Sequence, residues 1–393
     1  MAGGRRTVLR RAAAGRASRY GRALFRRGAQ SDRDGVIQGT GRRDMAKLRA
    51  AIAFGLSVLL MGAASPDVTQ VTIAPKGTRA DVFPIVEASF PGGIVARPHV
   101  EYANLVGYRP LQLDLYLHTD RASAAPRPLV VWIHGGGWNR GDGRGSGAFA
   151  NYPAVLAMLA ARGYVVASVD YRLSGEAPFP AQIQDVKAAI RFLRDHAADY
   201  GIDPARVMLW GGSAGGHLAS LAATSCGVAA FAPAPSAGRM SHAEMAAAKP
   251  STASDCVQAA AIWYGVFDLS PHVLPGTRTD ELNNSDGIAT QLLGCDPKTC
   301  AAKAIAASPI HYLSAKTPPM LLVHGMADTT VSYHQSERMA DALRKAGVPV
   351  ETLFIPGLNH GLISKDADQT RAATLQALQR TFEFFDAKAG LHS

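Results

Sequence analysis

Past residue 64, this 393-residue chain has almost no net charge. The whole sequence carries 41 Lys and Arg against 31 Asp and Glu, a formal +10, which at first invites a polyanion partner. Residues 1–44, however, hold 12 Arg and 3 Asp, and residues 45–64 add Lys47 and Arg49. Residues 65–393 are left at −1. Nucleic-acid binding loses its footing, because that affinity comes from Lys and Arg meeting phosphates.

Metal patterns are missing too. The four cysteines form no CxxC pair and there is no HExxH, so no metal site is expected. The leader offers no run of the roughly 20 apolar residues that a spanning helix needs. Its uncharged stretch goes from Ala50 to about Ala64, and no cysteine that could be lipidated follows it directly. With the positive start at Met45 and the small residues Gly62, Ala63 and Ala64 at its end, residues 45–64 read as a secretory signal rather than a stable membrane anchor. A secreted or periplasmic protein is expected. Residues 1–44 are too long for an ordinary n-region and read as an upstream start or a disordered basic tail. In an exported chain, Cys226, Cys256, Cys295 and Cys300 are compatible with two disulfides. Neighbour pairing is the simplest connectivity, with buried free thiols as the other reading.

What the chain does have is an alternation of apolar strands and helices. Residues 65–95 show little periodicity and are expected to be a linker. HVEYANL and LQLDLYLH then alternate apolar and polar, as half-buried antiparallel strands do. PLVVWIH, YVVASVDYR, RVMLWGG, AAAIWYG, PMLLVHG and VETLFIP are buried-strand runs separated by helical stretches around 153–162, 181–200, 214–223, 332–346 and 367–385. This order predicts an α/β domain over residues 96–390, with a mostly parallel, doubly wound, eight-stranded sheet and antiparallel first strands. Two segments break the rhythm, 227–255 and 271–309, and both are candidates for a small cap. Ligands in open α/β sheets bind at the C-terminal strand edge, where such insertions would sit.

At the fifth strand's end, Gly211-Gly212-Ser213-Ala214-Gly215 fits G-x-S-x-G with a strand before it and a helix after it, the context in which the serine Oγ projects above the sheet. HGGGW, His134 to Trp138, ends the third strand. Its consecutive glycines let backbone N–H groups approach a developing oxyanion, which needs two or three donors about 3 Å away. Gly136, Gly137 and Ala214 are the expected donors, and Gly135 permits the turn. A phosphate loop is the other reading of these glycines, but no Lys-Ser/Thr pair follows. Trp138 either lines a substrate pocket or packs beneath the loop.

Asp328 follows the strand PMLLVHG by a few residues, and His360 follows the last strand. Ser213, Asp328 and His360 therefore lie in the Ser…Asp…His chain order, on loops at one edge of the sheet. The chemistry asks for each type: a neutral hydroxyl is a poor nucleophile, an imidazole can take its proton, and a carboxylate can hold the imidazole tautomer. Asp268 is an alternative acid but reads better as a turn residue. His217 reads as packing under the serine turn, His324 as a core histidine, and Arg140 and Asp142 as solvated.

From about residue 100 to 388 the chain resembles the α/β-hydrolase superfamily, specifically secreted esterases of the hormone-sensitive-lipase-like and feruloyl/acetyl-xylan-esterase-like (BD-FAE-type) groups. The resemblance rests on HGGGW at 134–138, GGSAGG at 211–216, the stretch 308–328 ending MAD, NHG at 359–361, and the stretch 179–207. It implies a cofactor-independent serine esterase acting on short-chain or acetyl/feruloyl-type esters, borne by a small molecule or a polysaccharide. Two rivals share the scaffold. A prolyl-oligopeptidase-like peptidase would cleave amides and usually carries a large extra domain, for which the few tens of residues before the sheet leave no room. A non-catalytic binding protein would not label at Ser213 with a fluorophosphonate.

Overall fold

The computed structural model describes residues 86–236, 251–270 and 287–391. The basic segment, the signal segment, most of the expected linker and parts of both insertions lie outside these residues. Nine strands are present: β1 (Ala88–Phe90), β2 (Ile94–Ala103), β3 (Leu111–His118), β4 (Arg127–Ile133), β5 (Val165–Val169), β6 (Ile202–Gly212), β7 (Ala259–Trp263), β8 (Met320–Gly325) and β9 (Val350–Ile355). They make one sheet in the order β1-β2-β3-β5-β4-β6-β7-β8-β9. The pairs from β1 to β5 are antiparallel, and those from β5 through β4 to β9 are parallel.

The eight expected strands are all found, and the ninth corrects the count. β1 and the start of β2 fall inside the segment read as a linker. Ala88–Phe90 is too short to show a period, and β2 is interrupted by a register shift between Arg97 and Val100 where His99 takes φ +58°. That irregularity hides the strand's first half from a two-residue pattern.

The helices are α1 (Tyr152–Ala161), α2 (Ala181–Asp195), α3 (Ala197–Tyr200), α4 (Ala214–Thr224), α5 (Ile288–Leu293), α6 (Ala301–Ala306), α7 (His334–Lys345) and α8 (Ala367–Ala389). Strands buried on both faces divide their side chains between two cores. In β4, Leu129, Val131 and Ile133 join α2 and α4 in one cluster. Val130 and Trp132 face the other way, with Trp210, Trp263 and residues of α1 and α8.

Both neighbour disulfides are formed, Cys226–Cys256 and Cys295–Cys300. The first joins the two ends of the insertion at 227–255. The second links α5 to α6 within the insertion at 271–309.

Candidate active site

β6 ends at Gly212 and α4 starts at Ala214, which leaves one residue, Ser213, to reverse the chain. Ser213 takes φ +56° and ψ −121°, a conformation that costs a non-glycine residue on the order of 1–3 kcal/mol. Its neighbours make the turn possible by lacking side chains. A Cβ on Gly211 would lie 2.3 Å from the Gly215 carbonyl oxygen, and one on Gly215 would lie 2.0 Å from that of Ile133. The Ser213 N–H donates to Trp263 O at 2.9 Å, and Ser213 O accepts from His217 N–H at 2.9 Å. The backbone is thereby fixed and the hydroxyl left half-exposed.

His360 lies in the turn after β9, and its Nε2 is 2.9 Å from Ser213 Oγ. Its Nδ1 is 2.7 Å from Asp328 Oδ2. The other Asp328 oxygen, Oδ1, accepts the N–H groups of Thr330 at 2.8 Å and Val331 at 2.9 Å. Burial pushes the Asp328 carboxyl up, but hydrogen bonds from His324 and His360 outweigh it and hold the group well below the usual carboxylate range. An ionised carboxylate facing Nδ1 requires an N–H there, which leaves Nε2 of a neutral imidazole as the acceptor facing the serine. The edge of Tyr264 packs on the His360 ring at 5.0 Å between centroids.

Gly136, Gly137 and Ala214 line a cavity of about 530 Å³ together with Ser213 and His360. Gly136 has φ +106° and a Cβ there would lie 2.1 Å from Arg140 O, so glycine is required; Gly137 takes φ +60°, which favours glycine. Among the described residues, none of the three N–H groups donates within the chain. The arrangement thus offers a hydroxyl, a base and unsatisfied amides at one place.

Trp138 borders this cavity, yet it is only 1% exposed and its indole N–H donates to His217 Nδ1 at 3.1 Å. The ring thus packs beneath the loop, and the residue also stands in the wall of the cavity. His217 packs there with it, donating Nε2–H to Ala307 O at 2.6 Å. Burial drops its pKa to about 4. Asp268 is spent on Arg338 at 2.6 Å and on Ser270, so it is no partner of His360.

Two contributors, Asn359 and Ile288, escaped sequence reasoning, and a third, His324, was read only as a core histidine. Asn359 Oδ1 accepts the N–H groups of both Thr329 and His360. Ile288, first residue of α5, reaches the cavity from the second insertion and stands against Gly137. His324 lies beside the Asp328 carboxylate. Asn359 and His324 lay in stretches that carried the resemblance, NHG at 359–361 and 308–328, whereas nothing flagged Ile288.

A BD-FAE family profile matches residues 113–343, more than half of the chain. Esterase LipQ of Mycobacterium tuberculosis is 29% identical over 320 residues, which cover 78% of this chain and 68% of LipQ. Matches to two further curated relatives span 59% and 60% of their lengths. Among solved structures, a truncated carbohydrate esterase from gut microbiota is 27% identical with a TM-score of 0.59, covering 75% of this chain and 96% of that one. A propionate-bound esterase, Est2 of Thermogutta terrifontis, is 29% identical with a TM-score of 0.57, covering 77% and 96%. The matched stretch holds the sheet from β3 to β8 with Ser213 and Asp328, and the chain belongs to the BD-FAE family of α/β-hydrolase-fold esterases.

Proposed function

We propose that the protein hydrolyses carboxylic esters through an acyl-enzyme formed on Ser213. The observation that carries this reading is the continuous hydrogen-bonded series from Ser213 Oγ through His360 to Asp328. As Oγ bonds to the substrate carbonyl carbon, its proton passes to His360 Nε2. The carbonyl oxygen becomes an oxyanion held by the N–H groups of Gly136, Gly137 and Ala214. Asp328 stabilises the imidazolium, which then protonates the departing alkoxide as the C–O bond breaks. Water repeats the sequence: its proton goes to His360, its oxygen bonds to the acyl carbon, and Ser213 leaves with the proton returned.

The cavity walls support a substrate class. The lining includes the apolar Val266, Ile288, Val331 and Ile363 and the polar Arg140, Asp142 and Ser146. A short acyl group suits the first and a hydroxylated alcohol the second, so acetyl- or feruloyl-type esters of a sugar or small alcohol are the proposed substrates. The carbohydrate esterase and the propionate-bound relative support this assignment. Export is also proposed, from the 45–64 leader and from two disulfides, which persist in oxidising compartments.

The test is pre-steady-state hydrolysis of p-nitrophenyl acetate with mass spectrometry of the quenched protein. A burst of about one p-nitrophenol per chain, with an acetyl adduct on Ser213, is expected. Turnover without any adduct would exclude the acyl-enzyme, and cleavage of amides in preference to esters would move the protein to the peptidases.

A further inference from the structure

His324 reads from sequence as a core histidine, and it is fully buried. Its surroundings are unusual for that role. It is the penultimate residue of β8, and Asp328 is only four positions further on. Nδ1 is 2.7 Å from Ser336 Oγ on α7, and Nε2 is 2.9 Å from Val331 O. Nε2 is also 3.3 Å from Asp328 Oδ2. A carbonyl can only accept, so Nε2 bears the hydrogen, and in the neutral ring Nδ1 accepts from the Ser336 hydroxyl. The Nε2–H is then shared between Val331 O and the Asp328 carboxylate.

Asp328 Oδ2 therefore faces two imidazoles, His360 in front and His324 beneath the loop. Its other oxygen is held by the Thr330 and Val331 amides. The two amides and His360 donate to this buried carboxylate, and His324 Nε2 stands 3.3 Å from the same oxygen that His360 meets.

We propose that His324 is a positioning residue of the reaction: its Nε2–H holds Asp328 Oδ2 in place so that Oδ2 meets His360 Nδ1. The proposal rests on the serine-esterase reading above. The carboxylate must serve His360 most when the ring becomes an imidazolium, so a misplaced Oδ2 slows turnover more than it weakens substrate binding.

Two substitutions separate positioning from packing. In His324→Gln the side-chain amide reaches where Nε2 was. In His324→Asn it reaches only where Nδ1 was, toward Ser336 and short of Asp328. Rates of p-nitrophenyl acetate hydrolysis are expressed per active site, counted by organophosphonate titration of Ser213, so that unfolded protein drops out. His324→Asn is expected to lower kcat about tenfold with KM within about twofold, and His324→Gln to restore most of it. In an Asp328→Ala background, His324→Asn should add no further loss, because residues acting as one unit are not additive. The proposal is overturned if the Asn variant keeps its kcat per site, if Gln and Asn lose equally, or if the loss recurs undiminished without Asp328. Should Ser213→Ala keep the wild-type rate, the serine reading itself fails. Should Ser213 be required while His324→Asn is silent, only the positioning role fails.

Discussion

Asn359 and Thr329 lie 30 residues apart in the chain, and 2.9 Å separates Asn359 Oδ1 from the Thr329 N–H nitrogen. The same oxygen accepts the His360 N–H at 2.7 Å, while the Asn359 N–H donates to Ile363 O at 2.7 Å. One side chain thus joins the loop that carries Asp328 to the turn that carries His360. The Thr329 hydroxyl also donates to Asn359 Oδ1, at 3.3 Å, and Asn359→Ala removes all three bonds without emptying a core. It is expected to lower kcat about tenfold, equivalent to about 1.4 kcal/mol of barrier, with KM little changed. Steady-state kinetics on a short-chain ester checks this, and an unchanged kcat would show that the two loops hold their geometry alone.

Ile288 should set the length of the acyl group. A Cβ placed on Gly137 would meet Ile288 Cγ2 at 3.0 Å and Cδ1 at 3.3 Å, so this side chain stands in the cavity wall beside a proposed oxyanion donor. Ile288→Ala opens that wall by three carbons. The ratio of kcat/KM for hexanoate over acetate is expected to rise about tenfold, the scale on which a few methylenes are discriminated. A series of p-nitrophenyl esters reads it directly.

Acid should destabilise the protein through His217. Its folded pKa is lowered to about 4 by burial, and in the unfolded chain a histidine titrates near 6.5. Between those values the unfolded state binds more protons, so stability is full above about pH 6.5 and falls as the pH drops toward 4. The difference is about 3 kcal/mol. Chemical denaturation from pH 7 to pH 4.5 should show this loss, and His217→Gln, which cannot charge, should flatten it.

The two disulfides should differ in worth. Their cysteines are separated by 30 and by 5 residues, and loop-closure entropy gives about 3–4 kcal/mol for the longer and about 2 kcal/mol for the shorter. Cys226→Ser with Cys256→Ser is therefore expected to lower Tm more than Cys295→Ser with Cys300→Ser. The shorter bridge lies between α5 and α6, so its loss should act first on acyl preference through Ile288.

Ser213, Asp328 and His360 were legible because each follows a long apolar run, and a parallel sheet brings the ends of such runs to one edge. The glycine loop was legible for the same reason, since β4 and β6 are neighbours and their following turns meet. Asn359 was not, because its partner Thr329 lies on another loop and no spacing encodes which loops meet; His324 was legible only as a buried histidine, because its place beside Asp328 depends on how the turn after β8 folds back. The packing of Trp138 was not legible, because its partner His217 lies 79 residues away. β1 escaped because three residues carry no period, and Ile288 because an irregular insertion gives no sign of which residue will turn inward.

The most direct measurement pairs hydrolysis of p-nitrophenyl acetate by the wild type and by Ser213→Ala with fluorophosphonate labelling and peptide mapping. The expected result is a rate in the wild type that falls at least about 10³-fold in the variant, with the label on the peptide that contains Ser213. A variant that keeps the wild-type rate, or a label that maps to another residue, would contradict the assignment of Ser213 as the nucleophile.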